Sequence, residues 1–393
     1  MTHEPARTRL YHEHLALGGR MTPFAGWELP VQYEATGALR EHRAVREAAG
    51  LFDIDHMGQL VVSGPDAEDF LNTLLTVDVR AVPRWKAQYA LLPYEAGGLV
   101  DDVMLYRLPD AWWIIVNASN REKDLHWLTA HAGAFRVIIE DLSERTYMLA
   151  LQGPQAQPIL QTLTAFNLDC LPFHAVTRAK VAGVPMLIAA TGYTGEYGYE
   201  LYFPAEEAVP VWRALLDVGR PAGLLPCGLA ARDSLRFEAG LPLYGHELGP
   251  DIDPFTAGLG RFVQFDDRNF VGRAALLKIL LEGPSRKLVG FEMTEPAVPR
   301  AGYLVLIDGQ PAGTVTSGMK SPTLDKFLGM AYVPAHHAAS GAEIGIVVRE
   351  KAKRAMIVKR PFYTPAYRRA SAAPVIFSHP DRMSDLCATA VRQ

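Results

Sequence analysis

One segment occurs twice in this chain of 393 residues. Leu60-Val61-Val62-Ser63-Gly64-Pro65-Asp66-Ala67-Glu68-Asp69-Phe70-Leu71 returns as Leu149-Ala150-Leu151-Gln152-Gly153-Pro154-Gln155-Ala156-Gln157-Pro158-Ile159-Leu160. Each copy predicts a strand, a Gly turn and an amphipathic helix, with Pro near the first helical position, where its missing N–H is harmless. The stretches beyond the two copies are also alike. Leu99 to Tyr106 and Trp112 to Val116 predict a hairpin leading to a helix from Ser119 to His131; Val184 to Ala190 and Tyr199 to Phe203 predict another, leading to a helix from Ala205 to Val218. A duplicated βαββα unit restricts the fold to mixed α+β layers with largely antiparallel sheets and helices on one face. A ligand between the halves would meet matching hairpins, which makes Asp102 and the Tyr193 to Glu200 region candidates for one site.

Outside the repeat, Thr36 to Ala49 reads as a charged helix closed by Gly50 as its C-terminal cap, feeding a short buried strand at Leu51 to Ile54. After about residue 276 the pattern becomes short strands between Gly and Pro turns: Arg286 to Met293, Gly302 to Ile307, Gln310 to Ser317, Leu328 to Val333, Glu343 to Glu350 and Lys353 to Val358. That spacing predicts a small all-β barrel or jelly roll. Ala370 to Gln393 is irregular and predicts a loosely ordered tail.

A chain this long, 49% hydrophobic and 21% charged, needs more than one core. A net charge of −4 without basic runs gives no footprint for nucleic acid. Cys170, Cys227 and Cys387 lie far apart with no CxxC spacing, which argues against a disulfide framework or a zinc site and for a reducing compartment. The twelve histidines form no HExxH, and no GxSxG elbow occurs, so no metal and no serine nucleophile are expected. With no signal-type start and no run of roughly 18 to 20 apolar residues, the expectation is a cytoplasmic protein without a membrane span.

Three segments hold residues suited to chemistry. Gly97-Gly98-Leu99-Val100-Asp101-Asp102 opens a strand with two adjacent carboxylates, which alternation sends to opposite faces, so they cannot share one proton. One facing inward among Leu, Val and Met would lose hydration, a cost that a donor or a cationic ligand must offset; a solvated strand end is the alternative. Thr191 to Glu200 holds three glycines, three tyrosines and two glutamates in ten residues. It fits no phosphate loop. Tyrosines beside a carboxylate suit a flat heterocycle, stacked on its faces and bound through N–H groups at its edge, although a tyrosine-rich hairpin tip would look the same. In Gly228 to Gly240, Arg232 and Arg236 share a helix face, either to clamp a ligand carboxylate or to pair with Asp233 and Glu238. His246, in Tyr244-Gly245-His246-Glu247, reads as a core hydrogen-bonding residue.

Together these segments closely resemble the glycine-cleavage T-protein family, the tetrahydrofolate-dependent aminomethyltransferases. The resemblance runs through Leu10-Tyr11-His12-Glu13-His14, Pro23 to Glu28, Pro30 to Tyr33, His56-Met57-Gly58, Gly97 to Asp102, Val116-Asn117-Ala118, Thr191 to Glu196 and Ala231-Arg232-Asp233. It continues in Leu243 to Leu248, Arg286 to Gly290, Thr316-Ser317-Gly318, Ser321 to Leu324 and Pro361-Phe362.

It implies a three-domain cloverleaf around a central folate site. The first domain would be 1–51 with 149–275, the second, carrying Asp102, 52–148, and the C-terminal β-barrel 276–369, before the tail 370–393. It further implies that ammonia leaves the aminomethyl group on the lipoyl arm of a partner H-protein, and that the one-carbon unit passes to tetrahydrofolate as 5,10-methylene-tetrahydrofolate. By position, Asp102 resembles the family's essential carboxylate and Asn117 its hydrogen-bonded neighbour, which leaves Asp101 a structural role in the Gly97-Gly98 turn or towards solvent. Tyr193 and Glu200 resemble pterin contacts, Arg232 a ligand-binding arginine, Tyr89 and Met57 pocket-lining positions, and Tyr367 a C-terminal tyrosine that reaches the folate. Asp55 and Gln59 depart from the family pattern beside Met57, where the lipoyl arm is expected to enter. Two other readings keep the fold: a folate-dependent demethylase of a methylated small molecule, and a non-enzymatic folate-binding protein, whose KGCYxGQE signature is absent here.

Overall fold

The computed structural model describes residues 4–367; the tail expected at 370–393 lies outside the described residues. Two sheets dominate the first part of the chain. The five-stranded sheet runs in the order Lys86–Pro93, Leu99–Arg107, Trp112–Val116, Gly58–Ser63, Ile138–Asp141. In the six-stranded sheet the order is Val176–Val181, Val184–Ala189, Gly198–Pro204, Thr146–Gln152, Ala49–Asp53, Leu224–Pro226, antiparallel except for the last pair. The first four strands of each sheet follow the same order with respect to the repeat. The duplication is therefore present with one more strand per copy than the spacing predicted. Lys86–Pro93 and Val176–Val181 are those extra strands, and in the second the alternation of Arg178 and Lys180 with apolar residues marks a sheet edge.

Each sheet buries both faces. On the outer faces the helices Ala67–Leu74 and Arg121–His131 cover one core, and Ala156–Gln161 and Ala208–Gly219 cover the other. The inner faces meet across a third core, where Tyr106 and Ile115 of one sheet pack with Met148, Ala150, Leu187, Ala189 and Tyr202 of the other. Polar side chains pointing inward thus meet the opposite sheet rather than water.

Helix Gly37–Glu47 ends before Gly50, which is not its cap but a buried position of strand Ala49–Asp53. The reason is space: a Cβ there would stand 2.4 Å from Val45 Cγ2 and 2.7 Å from Cys227 Sγ. All six C-terminal strands form, at Arg286–Met293, Leu304–Ile307, Gln310–Lys320, Phe327–Pro334, Glu343–Val348 and Lys351–Val358, and they close into a barrel rather than a jelly roll. Its interior is filled by Val289, Phe291, Val305, Val315, Ile344 and Ile346.

The turn that launches the Asp101-Asp102 strand is held from outside. Gly97 has φ +93°, Leu99 N donates to Gly249 O at 3.1 Å, and a Cβ on Gly98 would stand 1.6 Å from Pro250 O. Gly98→Ala is expected to destabilise the protein by at least about 2 kcal/mol, because the 249–251 backbone must move; the midpoint of denaturant unfolding measures it.

Candidate active site

Strand Leu99–Arg107 sends Asp101 and Asp102 to opposite faces, but neither face is solvent. Asp101 points with Val103 and Leu105 into the core beneath the helices, whereas Asp102 points with Met104 and Tyr106 toward the second sheet. The expectation that Asp101 belongs to the turn or to solvent is overturned: it is fully buried. Its carboxylate accepts the backbone N–H of Asn117 at 2.9 Å, the Asn117 side-chain amide at 2.8 Å and the Asn120 amide at 2.6 Å. The same Asn117 amide donates to Asp102 Oδ1 at 2.9 Å, and the Tyr89 hydroxyl donates to Asp102 Oδ2 at 2.9 Å. Burial first, then the charge of Asp101, pushes the Asp102 carboxyl up to about 7 against the pull of Tyr89 and Asn117. Tyr89 is itself held edge-on by Phe262 at 4.8 Å.

Glu200 stands on the other sheet. Its Oε2 accepts three hydroxyls, from Thr191 at 2.5 Å, Tyr106 at 3.1 Å and Tyr202 at 3.4 Å, while its Oε1 finds no hydrogen-bond partner among the described residues. One oxygen is anchored and the other is open. Met57 packs half-buried against the apolar cluster that contains Tyr106 and Tyr202. The Tyr193 hydroxyl donates to Pro242 O, which leaves the ring as its working surface; Arg232 lies 4.7 Å over that ring.

The two arginines of helix Leu229–Glu238 take different roles. Arg236 is almost fully buried and is saturated by Asp233 at 2.8 Å, Glu247 at 2.8 Å, Leu241 O at 3.2 Å and Ser317 at 3.0 Å. The Arg232 guanidinium makes no hydrogen bond or ion pair among the described residues, and burial lowers its pKa. Its charge reaches the Tyr193 hydroxyl together with that of Asp102, and Glu200 acts on Arg232 in turn. Hydrogen bonds join Asp102, Tyr89 and Asn117, and a cation–π contact joins Arg232 and Tyr193; between these groups and Glu200 only charge acts, and all six residues are half-buried. Tyr367 stands apart: its hydroxyl donates to Glu196 and accepts the Tyr197 N–H at 2.9 Å, and its ring stacks on Tyr197 at 4.8 Å.

Several supporting residues escaped the sequence reading. Asn120 lies three residues after Asn117, a spacing that could have paired them, and Thr191 opens the tyrosine-rich segment. His56 is buried edge-on to Phe24 at 5.7 Å with no partner for Nδ1; burial, then the charge of Arg232, pushes it down to about 3, so it stays neutral. The departures Asp55 and Gln59 turn away from the cluster, toward Met148 N at 3.1 Å and Thr146 O at 3.2 Å. Burial and the charge of Asp53 raise Asp55 to about 9, a neutral acid within the wall. His246 is exposed, and the buried polar residue of its segment is Glu247. A groove of about 760 Å³ lined by Arg9, Trp113, Arg178, Lys180 and Tyr202 contains none of the candidate residues, so the chemistry is assigned by converging groups rather than by volume. Among the described residues no group of three His, Cys, Asp or Glu side chains is disposed to hold a metal ion.

Residues 10–267 match the family model of the GCVT N-terminal domain, and residues 286–364 that of the glycine cleavage T-protein C-terminal barrel domain. The chain belongs to the glycine-cleavage T-protein family. Its T-protein relatives include the aminomethyltransferase of Symbiobacterium thermophilum, 48% identical over 371 residues that cover 92% of this chain and 98% of that one. The aminomethyltransferase of Caldanaerobacter subterraneus is 46% identical over 365 residues, covering 92% and 97%. The solved glycine cleavage system aminomethyltransferase T from Bartonella henselae superposes with a TM-score of 0.86 at 34% identity, over 91% of this chain and 98% of that chain.

The arginines of this T-protein make opposite predictions. Arg236→Met strands Glu247 as a buried charge and is expected to cost about 3–5 kcal/mol in denaturant unfolding. Arg232→Met gives up only the contact with the Tyr193 ring and should leave the unfolding midpoint nearly unchanged; with tetrahydrofolate as the probe in calorimetry, affinity is expected to fall at least roughly 10-fold.

Proposed function

We propose that this T-protein takes the aminomethyl group from the lipoyl arm of an H-protein in the cytoplasm and passes its one-carbon unit to tetrahydrofolate. The C–N and C–S bonds of the donor break, ammonia and the free thiol leave, and the methylene carbon bridges two folate nitrogens. The observation that carries the reading is Asp102, a half-buried carboxylate aimed between two sheets and fixed by one hydroxyl and one amide.

The residues fit the ligand's chemistry. The open oxygen of Glu200 suits the N–H edge of a pterin, the Tyr193 ring and Met57 offer apolar surface for its faces, and Arg232 offers a fork to a carboxylate or carbonyl. Departure of ammonia leaves a cationic, sulfur-stabilised methylene carbon, and a preorganised carboxylate stabilises that charge as it develops. Asp102 also orients the attacking nitrogens, so positioning adds to electrostatics. Exclusion of water from the loaded site also protects the reactive carbon from hydrolysis. Tyr367 contributes by bracing the Glu196-Tyr197 side of the loop that presents Tyr193.

The decisive assay incubates the protein with aminomethyl-loaded H-protein and tetrahydrofolate and measures ammonia and methylene-tetrahydrofolate. Activity on a methylated small molecule with none on the H-protein adduct would overturn the reading. Asp102→Asn should keep folate affinity within about 10-fold and lower turnover at least roughly 100-fold. Only ionised Asp102 stabilises a cation, so wild-type turnover should rise with pH through about 7 and level off above it. A limb of that kind persisting in Asp102→Asn would mean that another group sets it.

A further inference from the structure

Helix Arg121–His131 brings Asp124 onto Asp101 from the side opposite the candidate site. Asp124 is fully buried, and neither of its carboxyl oxygens meets a hydrogen-bond donor among the described residues. Lys123, next in sequence, makes no ion pair with it: the ammonium donates to the Tyr244 hydroxyl at 3.0 Å and lies 4.3 Å over that ring. We propose that Asp124 is a positioning residue of this site, a neutral carboxylic acid whose O–H donates a hydrogen bond to Asp101 and thereby holds Asp101, and through it Asn117, in the arrangement that orients Asp102. The inference rests on the role given to Asp102 above.

Hydrogen-bond satisfaction and charge together put the proton on Asp124. Asp101 already accepts three N–H donors and Asp124 accepts none, so of the two carboxyls it is Asp101 whose oxygens the protein is built to solvate. A second anion touching it in a dry core, with Asp102 close by, would be repelled from both sides. Protonation resolves this, because Asp124 then has one O–H to give and Asp101 has a lone pair to receive it. Burial, then the charge of Asp101, pushes Asp124 up to about 11. The first turn of a helix favours an anion, but no backbone N–H reaches this carboxyl. The other titratable groups facing the pair are Lys123, Tyr94 and Tyr244, with Asp102 and Tyr89 on the site side. Of these, Asp102 is the group placed to titrate near neutrality.

Two variants of the full chain test this, Asp124→Asn and Asp124→Leu. An infrared difference spectrum of wild type minus Asp124→Asn, taken above the Asp102 titration, should show the carbonyl stretch of a neutral carboxylic acid. Asp124→Asn can still donate an N–H to Asp101, so turnover should stay within about 3-fold of wild type with the acid limb unmoved. Asp124→Leu fills the space without donating: turnover should fall roughly 10-fold, folate KM should hold, and the acid limb should move to higher pH as the less stabilised Asp101 charge raises Asp102. Absence of the neutral-acid band, or a downward shift of the limb in Asp124→Asn as expected on removing an anion, overturns the proposal. So does an equal loss of turnover and thermal stability in both variants with no movement of the limb. The infrared result stands even if no one-carbon transfer is found, so failure of the functional reading and failure of this inference are separable.

Discussion

Arg236 is the cation around which the molecule is assembled. Its guanidinium joins helix Leu229–Glu238 to Glu247 in the next segment of the chain and to Ser317 on the barrel. Two residues on, Glu238 accepts Ser321 and Thr323 from the barrel and pairs with Arg46 on helix Gly37–Glu47 at 3.0 Å; Arg46 in turn holds Glu196 at 2.9 Å. Burial works against Glu238, yet His42, Ser321 and Thr323 hold it down at about 2. Buried charges of this kind are satisfied only when every partner arrives, so they act less as a source of stability than as a test of correct docking. Strand, helix and barrel meet in one register or leave a charge stranded.

The parts of this architecture that were legible in the sequence are those governed by local periodicity. The repeated strand-turn-helix, the hairpins and the six barrel strands all carry alternation bounded by Gly or Pro, and all formed. The features that escaped depend on contacts distant in sequence. Gly50 looked like a cap because a helix ended near it, yet its lack of a side chain serves Val45 and Cys227, the latter brought in from far along the chain. Both copies of the repeat hid a strand, one of them at a charged edge. The candidate residues divide in the same way. Type and spacing singled out the segments of Asp102 and Glu200, and the family resemblance chose those residues within them, but the split between Arg232 and Arg236 required knowing where Glu247 and Ser317 would lie.

The error over Asp101 teaches most. Alternation placed the two aspartates on opposite faces, and that held; the inference that one face must be solvent did not. A sheet covered by helices on one side and by a second sheet on the other has no outside, so both carboxylates need donors. One finds three N–H groups and becomes a fixture, while the other finds two donors and is the one to which the proposed function gives the chemistry. Identical side chains, adjacent in sequence, are thus separated in function by the number and kind of donors around them.

The four strands shared by the two sheets have the same order, but the site carboxylates do not occupy equivalent places. Asp102 lies on the second strand of that order and Glu200 on the third, facing across the seam. A pair of like walls bearing matching groups would accept a molecule in either of two opposed poses. Here the scaffold is doubled and its carboxylates are not, so the ligand proposed to lie against them meets a head and a tail, and has one way round to bind.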